Sequence, residues 1–216
     1  MNPVFVTGGT GYIGRALITA LLARRHVVHA LVRAGSEGKL PAGAIPLNGN
    51  ALDETSFSGR VPRAATIVHL VGTPHPTPAK AAEFRQVDLT SIIATAVAAQ
   101  RARARHLIYV SVAHPAPVMR AYIAAREEGE AAVRACGVPA TILRPWYVLG
   151  PGHMWPHLLK PLYAILRLLP RTRAGTERLG FVSHRQMVGA LVRAVEDPSP
   201  AGVKIVEVPE IRRAAL

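Results

Sequence analysis

The glycine-rich stretch VTGGTGYIGRAL, which begins at Val6, constrains the fold more than any other feature of the chain. One of its glycines permits a tight turn, a second lets the backbone approach a pyrophosphate, and a third lets helix and strand pack closely. Free N–H groups at the start of the following helix attract phosphate. The stretch therefore predicts a dinucleotide-binding loop rather than a bare structural turn. The residues predicted to contact the cofactor are Thr7, Gly8, Gly9, Thr10, Gly11, Tyr12, Ile13 and Gly14.

Short β-branched runs alternate with longer segments rich in alanine and leucine over the first 150 residues. Near-continuous apolar strands separated by helices are typical of a parallel sheet that is covered on both faces. The pattern predicts an α/β, doubly wound domain over residues 1–150. The predicted strands are 4–8, 27–33, 45–49, 66–72, 106–112 and 140–146, and the predicted helices are 11–25, 79–104 and 118–136.

Residues 151–216 interrupt this alternation and are too few for an independent domain with its own large core. They predict an apolar helix at 155–169, a short strand near LGFVS, a helix at 184–196 and a final strand, VKIVEV. We expect this segment to form a small C-terminal cap over one edge of the sheet, integrated with the core, so that the chain is a single domain.

The net charge of +13 comes almost entirely from arginine, and aromatic residues make up only 5% of the chain. The arginines are scattered, whereas a nucleic-acid binder gathers its charge into one face. We therefore expect no nucleic-acid partner. The apolar stretch 154–173 has basic flanks that could contact an anionic membrane surface, but a helix packed on the sheet explains the same pattern and is preferred. The chain shows no signal-peptide pattern, and its single cysteine, Cys136, excludes an internal disulfide; a cytoplasmic protein is predicted.

Cofactor choice in such domains depends on the residue at the end of the second strand, where Asp or Glu binds the ribose 2′-hydroxyl of NAD. This chain has Arg33 there, with Ser36 and Lys39 close behind. A guanidinium suits a 2′-phosphate, which it can bind with two parallel hydrogen bonds. The sequence favours NADP(H) over NAD(H); the alternative is that Arg33 is one more solvated arginine.

Taken in order, several motifs resemble those of the short-chain dehydrogenase/reductase superfamily, in its extended or atypical NAD(P)H-binding, epimerase/dehydratase-like branch. They are TGGTGYIG, LVR, GNALD, VHLVG, VDLTSIIATAVAAQ, LIYVSV, YIAAR and ILRPWYVLGPG. The resemblance covers residues 3–150 closely and implies a Rossmann fold. It does not specify a substrate.

The resemblance also implies roles for individual residues. The GNALD motif would contact the adenine through Asn50, whereas Asp53 is equally well explained as a helix N-cap. Ser111, just past the fifth strand, would polarise a substrate carbonyl. The remaining residues that would line the cofactor are Ala51, Leu52, Leu70, Val71, Gly72, Pro145, Tyr147 and Val148.

Tyr122 and Arg126 stand where relatives have a catalytic tyrosine and, four residues later, a lysine. A phenol needs nearby positive charge to exchange protons near neutral pH. Arginine keeps that charge, but its planar fork cannot take the place of a compact ammonium unless something moves. Three interpretations stay open: Tyr122 transfers a proton with help from Arg126, the pair only binds cofactor, or the two are helix-surface residues.

Other candidates are weaker. His114, His153 and Trp155 are placed where they could face a substrate, although a loop histidine is more often solvated. No spacing of His, Cys or Asp suggests a metal site. The sequence favours an NADP(H)-dependent oxidoreductase acting on a small carbonyl or hydroxy compound, as monomer or homodimer. The alternative is a non-catalytic NADP(H)-binding redox sensor or accessory protein.

Overall fold

The structure, a computed structural model, describes residues 3–116, 118–150 and 178–214. The strands are β1 (Val4–Thr7), β2 (Val28–Val32), β3 (Ile45–Asn48), β4 (Thr66–His69), β5 (His106–Val110), β6 (Ala140–Arg144), β7 (Tyr147–Leu149), β8 (Phe181–Ser183) and β9 (Val203–Glu207). The helices are α1 (Tyr12–Ala23), α2 (Ala81–Glu83), α3 (Thr90–Arg101), α4 (Arg120–Ala135), α5 (His184–Glu196) and α6 (Val208–Arg213). A π-helical segment, Phe84–Leu89, joins α2 to α3.

Seven parallel strands form one sheet in the order β3-β2-β1-β4-β5-β6-β9, and β7 pairs with β8 in a separate two-stranded sheet. This order confirms the predicted Rossmann-type, doubly wound fold. The strand order reverses between β1 and β4, which pair with each other, because the chain crosses from β3 at one edge to β4 beside β1. Ligands of open α/β sheets bind at such a switch point, beyond the carboxyl ends of the strands. The glycine-rich loop follows β1 and therefore lies there.

Side chains that alternate along the strands build a separate apolar core on each face of the sheet. Val4 and Val6 of β1 belong to the core that α1, α5 and α6 cover. Phe5, between them, belongs to the core that α3 and α4 cover. Helices therefore cover both faces, as near-continuous apolar strands require.

The described residues of the C-terminal segment, 178–214, contribute to both the sheet and the core. β9 is the seventh strand and pairs in parallel with β6, from Ala140↔Val203 to Arg144↔Glu207. α5 buries Met187, Leu191 and their neighbours in the core that it shares with α1. It begins at a capping box, in which the Ser183 and Gln186 side chains bond each other's backbone N–H groups. The predicted helix at 155–169 lies outside the described residues.

Several strands end earlier than the sequence pattern predicts. β4 ends at His69 rather than residue 72, because the chain then leaves the sheet and passes over the glycine loop; the Leu70 carbonyl group lies within 3 Å of a side chain built at Gly8. β6 ends at Arg144, before Pro145, which has no N–H to continue the ladder. The predicted helix 79–104 is divided among a 3₁₀ turn (Pro78–Lys80), α2, the π-helical segment and α3.

A fully buried histidine, His69, ends β4 among hydroxyl groups. Its Nδ1 lies 2.9 Å from Oγ1 of both Thr7 and Thr95, and its Nε2 lies 3.3 Å from Oγ of Ser91. Burial, helped by the positive charge of Arg126, lowers the pKa of His69 to about 3. The imidazole is therefore neutral in the folded protein at physiological pH, whereas in the unfolded chain it protonates near pH 6.5.

This difference predicts a loss of stability in acid. As the pH falls below about 6.5, His69 takes up a proton in the unfolded chain but stays neutral in the folded protein. Protonation therefore stabilises the unfolded chain, and the free energy of unfolding falls progressively until the pH reaches the folded pKa of His69. The free energy of unfolding should therefore fall by about 1.4 kcal/mol per pH unit from this residue alone between roughly pH 6 and 4. Urea unfolding across this range, with His69→Gln beside the parent protein, measures it. The variant should show a shallower slope by that amount; equal slopes would contradict the prediction.

Candidate cofactor and catalytic site

The glycine-rich loop has the close backbone contacts that its spacing predicts. Gly8 has a positive φ of 75° and accepts a hydrogen bond from the Gly11 N–H at 3.0 Å. A side chain built at Gly14 would lie 2.2 Å from the Gly8 oxygen, so no other residue fits there without displacing the loop. α1 begins without a side-chain cap and without an acidic residue in its first turn. Its first N–H groups are thus left for an anion, and the loop fits a pyrophosphate.

The eight predicted loop residues lie together, although they face in different directions. Thr7, Gly9 and Gly14 are buried, and Gly11 is exposed. Tyr12 points toward the C-terminal segment: its ring centroid lies 4.1 Å from that of His184, and a side chain built at Gly150 would overlap its hydroxyl. Tyr12 therefore joins the loop to β7 and α5.

The adenosine side of the site is strongly basic. Arg33 is exposed after β2, and its side chain makes no hydrogen bond or ion pair within the described part of the chain. Lys39 and Arg15 line one shallow depression beside the N-terminal half of α1. Sequence reasoning missed Arg15, although its place directly after Gly14 was an available signal. Arg15 and Lys39 thus bring two positive charges next to the start of α1.

The GNALD motif is held by local hydrogen bonds. The Asn50 Oδ1 accepts from the Leu52 N–H at 3.1 Å, an Asx turn that also fixes Ala51. Asp53 caps the 3₁₀ turn Glu54–Ser56 by accepting from the Thr55 N–H at 3.0 Å. The capping interpretation of Asp53 is thus confirmed. Asn50 is exposed, and its amide oxygen retains a second lone pair for a ligand.

Arg126 lies in the protein interior, below the ring of Tyr122. Its side chain is 7% exposed, and its Cζ lies 5.1 Å from the centroid of the Tyr122 ring. NH1 donates to the Val110 carbonyl at 2.9 Å and NH2 donates to Asp88 Oδ1 at 2.5 Å. One guanidinium therefore contacts Tyr122 of α4 and the residue before Ser111 on β5. The two candidate catalytic residues are joined through it.

The guanidinium remains charged despite its burial. Burial alone would lower the pKa of Arg126, but the neighbouring Tyr122, Tyr109 and Asp88 outweigh burial and raise it. Space for the long side chain comes from Gly72, since a side chain built there would meet the NH2 group. Gly72, predicted to line the cofactor, thus packs against Arg126 within the protein.

Ser111 lies buried directly after β5, beside a network of charged groups. Its Oγ makes no well-formed hydrogen bond within the described residues. Glu130 nearby is buried and bonds Arg144 through both oxygens. Burial would raise the pKa of the Glu130 carboxyl, but the hydrogen bonds from Arg144, the nearby Ser111 hydroxyl and the charges of Arg144 and His114 outweigh it and lower the pKa. The Ser111 hydroxyl is therefore close to this carboxylate.

The remaining predicted residues are distributed around this site. His114 is held between Glu127, at 3.1 Å, and Glu130, at 3.3 Å, rather than left in solvent. Tyr147 and Val148 lie on β7 opposite Phe181 and Val182. Leu70 and Val71 are half-buried after β4, Leu52 is exposed and Pro145 is buried. Cys136 is buried and donates to the Val133 carbonyl. His153 and Trp155 lie outside the described residues.

Two negative findings apply to the same part of the chain. Within residues 3–116, 118–150 and 178–214, no group of His, Cys, Asp or Glu side chains is arranged to hold a metal ion. No helix in those ranges is long and apolar enough to cross a membrane.

Several known proteins are similar to this chain in sequence or in fold. A ceramide reductase of Caulobacter vibrioides is 30% identical over 220 residues, which cover 97% of this chain and 65% of that protein. A Stigmatella aurantiaca ketoreductase, named for 4-hydroxy-2-methyl-3-oxo-4-farnesyl-3,4-dihydroquinoline-1-oxide, is 29% identical over 170 residues, or 68% of this chain and 50% of that protein. The chain therefore spans at most about two thirds of the length of these relatives.

Among solved structures, the Bordetella bronchiseptica enzyme WbmH in complex with NAD+ is similar in fold. Its TM-score is 0.70 at 19% identity, over 96% of this chain and 75% of that one. MoeE5 in complex with UDP-glucose and NAD has a TM-score of 0.69 at 20% identity, over 97% of this chain and 79% of that one. A family model described as NAD(P)H-binding matches residues 8–151, which include the glycine loop, Ser111, Tyr122 and Arg126. The chain therefore belongs to this NAD(P)H-binding family.

Proposed function

We propose that the protein is an NADPH-dependent ketone reductase, with Tyr122 as proton donor and Ser111 as the group that polarises the carbonyl. The observation that carries this proposal is the position of Arg126, which lies under the Tyr122 ring and donates to the carbonyl next to Ser111. When bound, the nicotinamide supplies a hydride to the carbonyl carbon. Tyr122 gives its proton to the carbonyl oxygen, so that a ketone becomes a secondary alcohol.

Ser111 has the properties expected of a carbonyl-binding group. Its hydroxyl is buried at the carboxyl end of β5 and lacks a well-formed hydrogen bond within the described chain. A buried hydroxyl without such a partner calls for an explanation, and a substrate oxygen would supply the partner. Glu130 lies beside this hydroxyl and is paired with Arg144, so the Ser111 hydroxyl is next to a carboxylate whose charge is already compensated.

The two similar enzymes suggest the substrate class. One is named a reductase of ceramide, a lipid, and the other a ketoreductase of a compound with a farnesyl chain. We propose a lipophilic ketone as the substrate. NADPH consumption should be compared for short polar ketones and for ketones with alkyl or isoprenoid chains. NADPH binding without turnover of any ketone would overturn the reductase proposal.

A second candidate function is a non-catalytic NADP(H)-binding sensor or accessory protein. The observation that favours it is the burial of Arg126, whose two terminal nitrogens donate to Val110 and Asp88. Both terminal nitrogens are thus engaged within the protein. Tight NADPH binding combined with an inert Tyr122→Phe substitution would support this candidate.

Preference for NADPH is expected to depend on Arg33. Replacing this exposed arginine by aspartate should reduce the ratio of NADPH to NADH affinity by roughly 10- to 100-fold, the loss of one or two charge-assisted hydrogen bonds to the 2′-phosphate. Dissociation constants for both cofactors, measured by fluorescence titration, give the ratio. Arg63→Asp, an equal charge change at another exposed position, is the matched control. Equal ratios in the Arg33 variant and the control would contradict the assignment.

A further inference from the structure

Asp88 lies at the centre of a buried polar cluster, and the sequence predicted no role for it although it belongs to the motif VDLTSIIATAVAAQ. It belongs to the π-helical segment and is completely buried. Its Oδ2 accepts from the Thr73 N–H at 3.0 Å and from the Thr73 hydroxyl at 2.6 Å, while its Oδ1 accepts from Arg126. π-Helical turns are often found at functional sites. Here the widened turn places the carboxylate between the loop after β4 and helix α4.

The ion pair is located directly next to the proposed proton donor. Arg126 lies 5.1 Å below the Tyr122 ring and 5.8 Å from that of Tyr109. The Tyr122 ring also contacts Phe84, at the start of the π-helical segment, with centroids 5.0 Å apart. The segment therefore fixes Tyr122 through Phe84 and fixes the cation below it through Asp88.

A buried cation without a partner would act strongly on a neighbouring phenol, because charges interact more strongly away from water. Asp88 weakens this effect because its carboxylate accepts a hydrogen bond from the Arg126 guanidinium and partly offsets the positive charge. The planar guanidinium of Arg126 contacts Tyr122, Val110 and Asp88 at once, which the compact ammonium of a lysine could not do. The arginine and the aspartate form one unit.

We propose that Asp88 is a positioning residue that holds Arg126 beneath Tyr122 and offsets its charge, thereby setting the pH range over which Tyr122 keeps its proton. The proposal rests on the proposed function, since it assumes that Tyr122 donates that proton. Asp88 itself touches neither Tyr122 nor the glycine loop through any hydrogen bond of the described chain.

The charged and titratable groups around this unit come from several elements. Tyr109 of β5 faces Arg126 from below, and burial raises the pKa of Tyr109 to about 12. The positive charge of Arg126 also contributes to lowering the pKa of His69 in β4. On the surface, Arg85 and Glu128 form an ion pair between the π-helical segment and α4. Glu130, one turn of α4 after Arg126, is paired with Arg144 and His114.

The test is a titration of Tyr122 that does not require turnover. Protein labelled with ¹³C at tyrosine Cζ contains five tyrosines, and Tyr122→Phe assigns the signal by its loss. In Asp88→Asn no carboxylate offsets the charge of Arg126, so this charge stabilises the Tyr122 phenolate. The midpoint of the Tyr122 titration should therefore move by about one pH unit to lower pH. Thr73→Val removes one hydrogen bond to Asp88 and keeps its charge, so the titration should stay unchanged. An unmoved midpoint in folded Asp88→Asn overturns the proposal.

A second variant covers the case in which Asp88→Asn does not fold. Asp88→Leu combined with Arg126→Met removes both charges and leaves apolar side chains in the interior, a replacement that buried ion pairs often tolerate. If Asp88 offsets Arg126, the Tyr122 midpoint should stay within about half a pH unit of the parent protein. A rise of about one unit or more would show that Arg126 acts as an uncompensated cation and would overturn the proposal.

The titration also separates this proposal from the proposed function. If the parent protein reduces no ketone and yet the midpoint moves in Asp88→Asn, the reductase assignment fails while the electrostatic role of Asp88 stands. If ketones are reduced and the midpoint does not move, the positioning role fails alone.

Discussion

Tyr122→Phe is expected to lower kcat/KM for ketone reduction by roughly 10²- to 10⁴-fold, the usual contribution of a positioned general acid. The substitution removes only the hydroxyl. The ring that packs on Phe84 and Arg126 remains, so folding and cofactor binding should be retained. Single-turnover NADPH oxidation measures the chemical step, and fluorescence titration measures the NADPH dissociation constant, which should change less than about threefold.

Tyr109→Phe is the matched control, because it deletes the same hydroxyl from a tyrosine that is fully buried and cannot reach a substrate. Its kcat/KM should fall less than about tenfold, with any larger effect limited to stability. If both variants lose activity equally, the loss comes from disturbance of Arg126, which both rings face. If Tyr122→Phe keeps its activity within threefold, Tyr122 is not the proton donor.

Features encoded in short stretches could be predicted from the sequence. The glycine loop, the parallel sheet and its crossover follow from turn chemistry and from the period of apolar residues, both of which act over a few neighbours. Asp53 as a cap is another example, because the bond to Thr55 spans two residues. Such local signals identified the family, although not its substrate.

Features that depend on distant contacts could not be predicted. The helix expected over 79–104 is widened at Phe84–Leu89, where Asp88 bonds Thr73, 15 residues away, and Arg126, 38 residues away. Nothing in the spacing of Tyr122 and Arg126 shows that the guanidinium turns inward to an aspartate on another element. Helix α6 was missed for a different reason, since its six residues are too few to show a period.

The charged residues of the site also divide into those that local sequence indicates and those that depend on distant contacts. The proposal for Arg33 depends only on its place directly after β2 and on its exposed side chain, both of which a local pattern indicates. The role of Glu130 could not be predicted, because it depends on Arg144 of β6 and His114 of the loop after β5. In the sequence, Glu130 looks like a solvated carboxylate on a helix surface. Its pairing with Arg144 becomes visible only in the folded structure.

Gly14→Val is expected to weaken NADPH binding by at least about 100-fold, or about 2.7 kcal/mol. The first side-chain carbon would lie 2.2 Å from the Gly8 oxygen and 2.8 Å from the Gly9 Cα, and both are backbone atoms that cannot rotate away. The loop must therefore move, and the turn that presents N–H groups to the pyrophosphate is lost. Overpacking of this kind also costs about 1–3 kcal/mol of stability, so the melting temperature should fall.

Gly59→Ala separates the effect on binding from the effect of losing any glycine. A side chain built at Gly59 has nothing within 4 Å, and the residue lies outside the glycine loop, in the 3₁₀ turn Ser58–Arg60. Its NADPH affinity should match that of the parent protein. Calorimetric titration with NADPH and a thermal melt of both variants provide the two readouts. Because the loop is the structural basis for the whole site, a folded Gly14→Val protein that binds NADPH normally would refute the pyrophosphate position, and with it the placement of Tyr122 and Ser111 near a reacting nicotinamide.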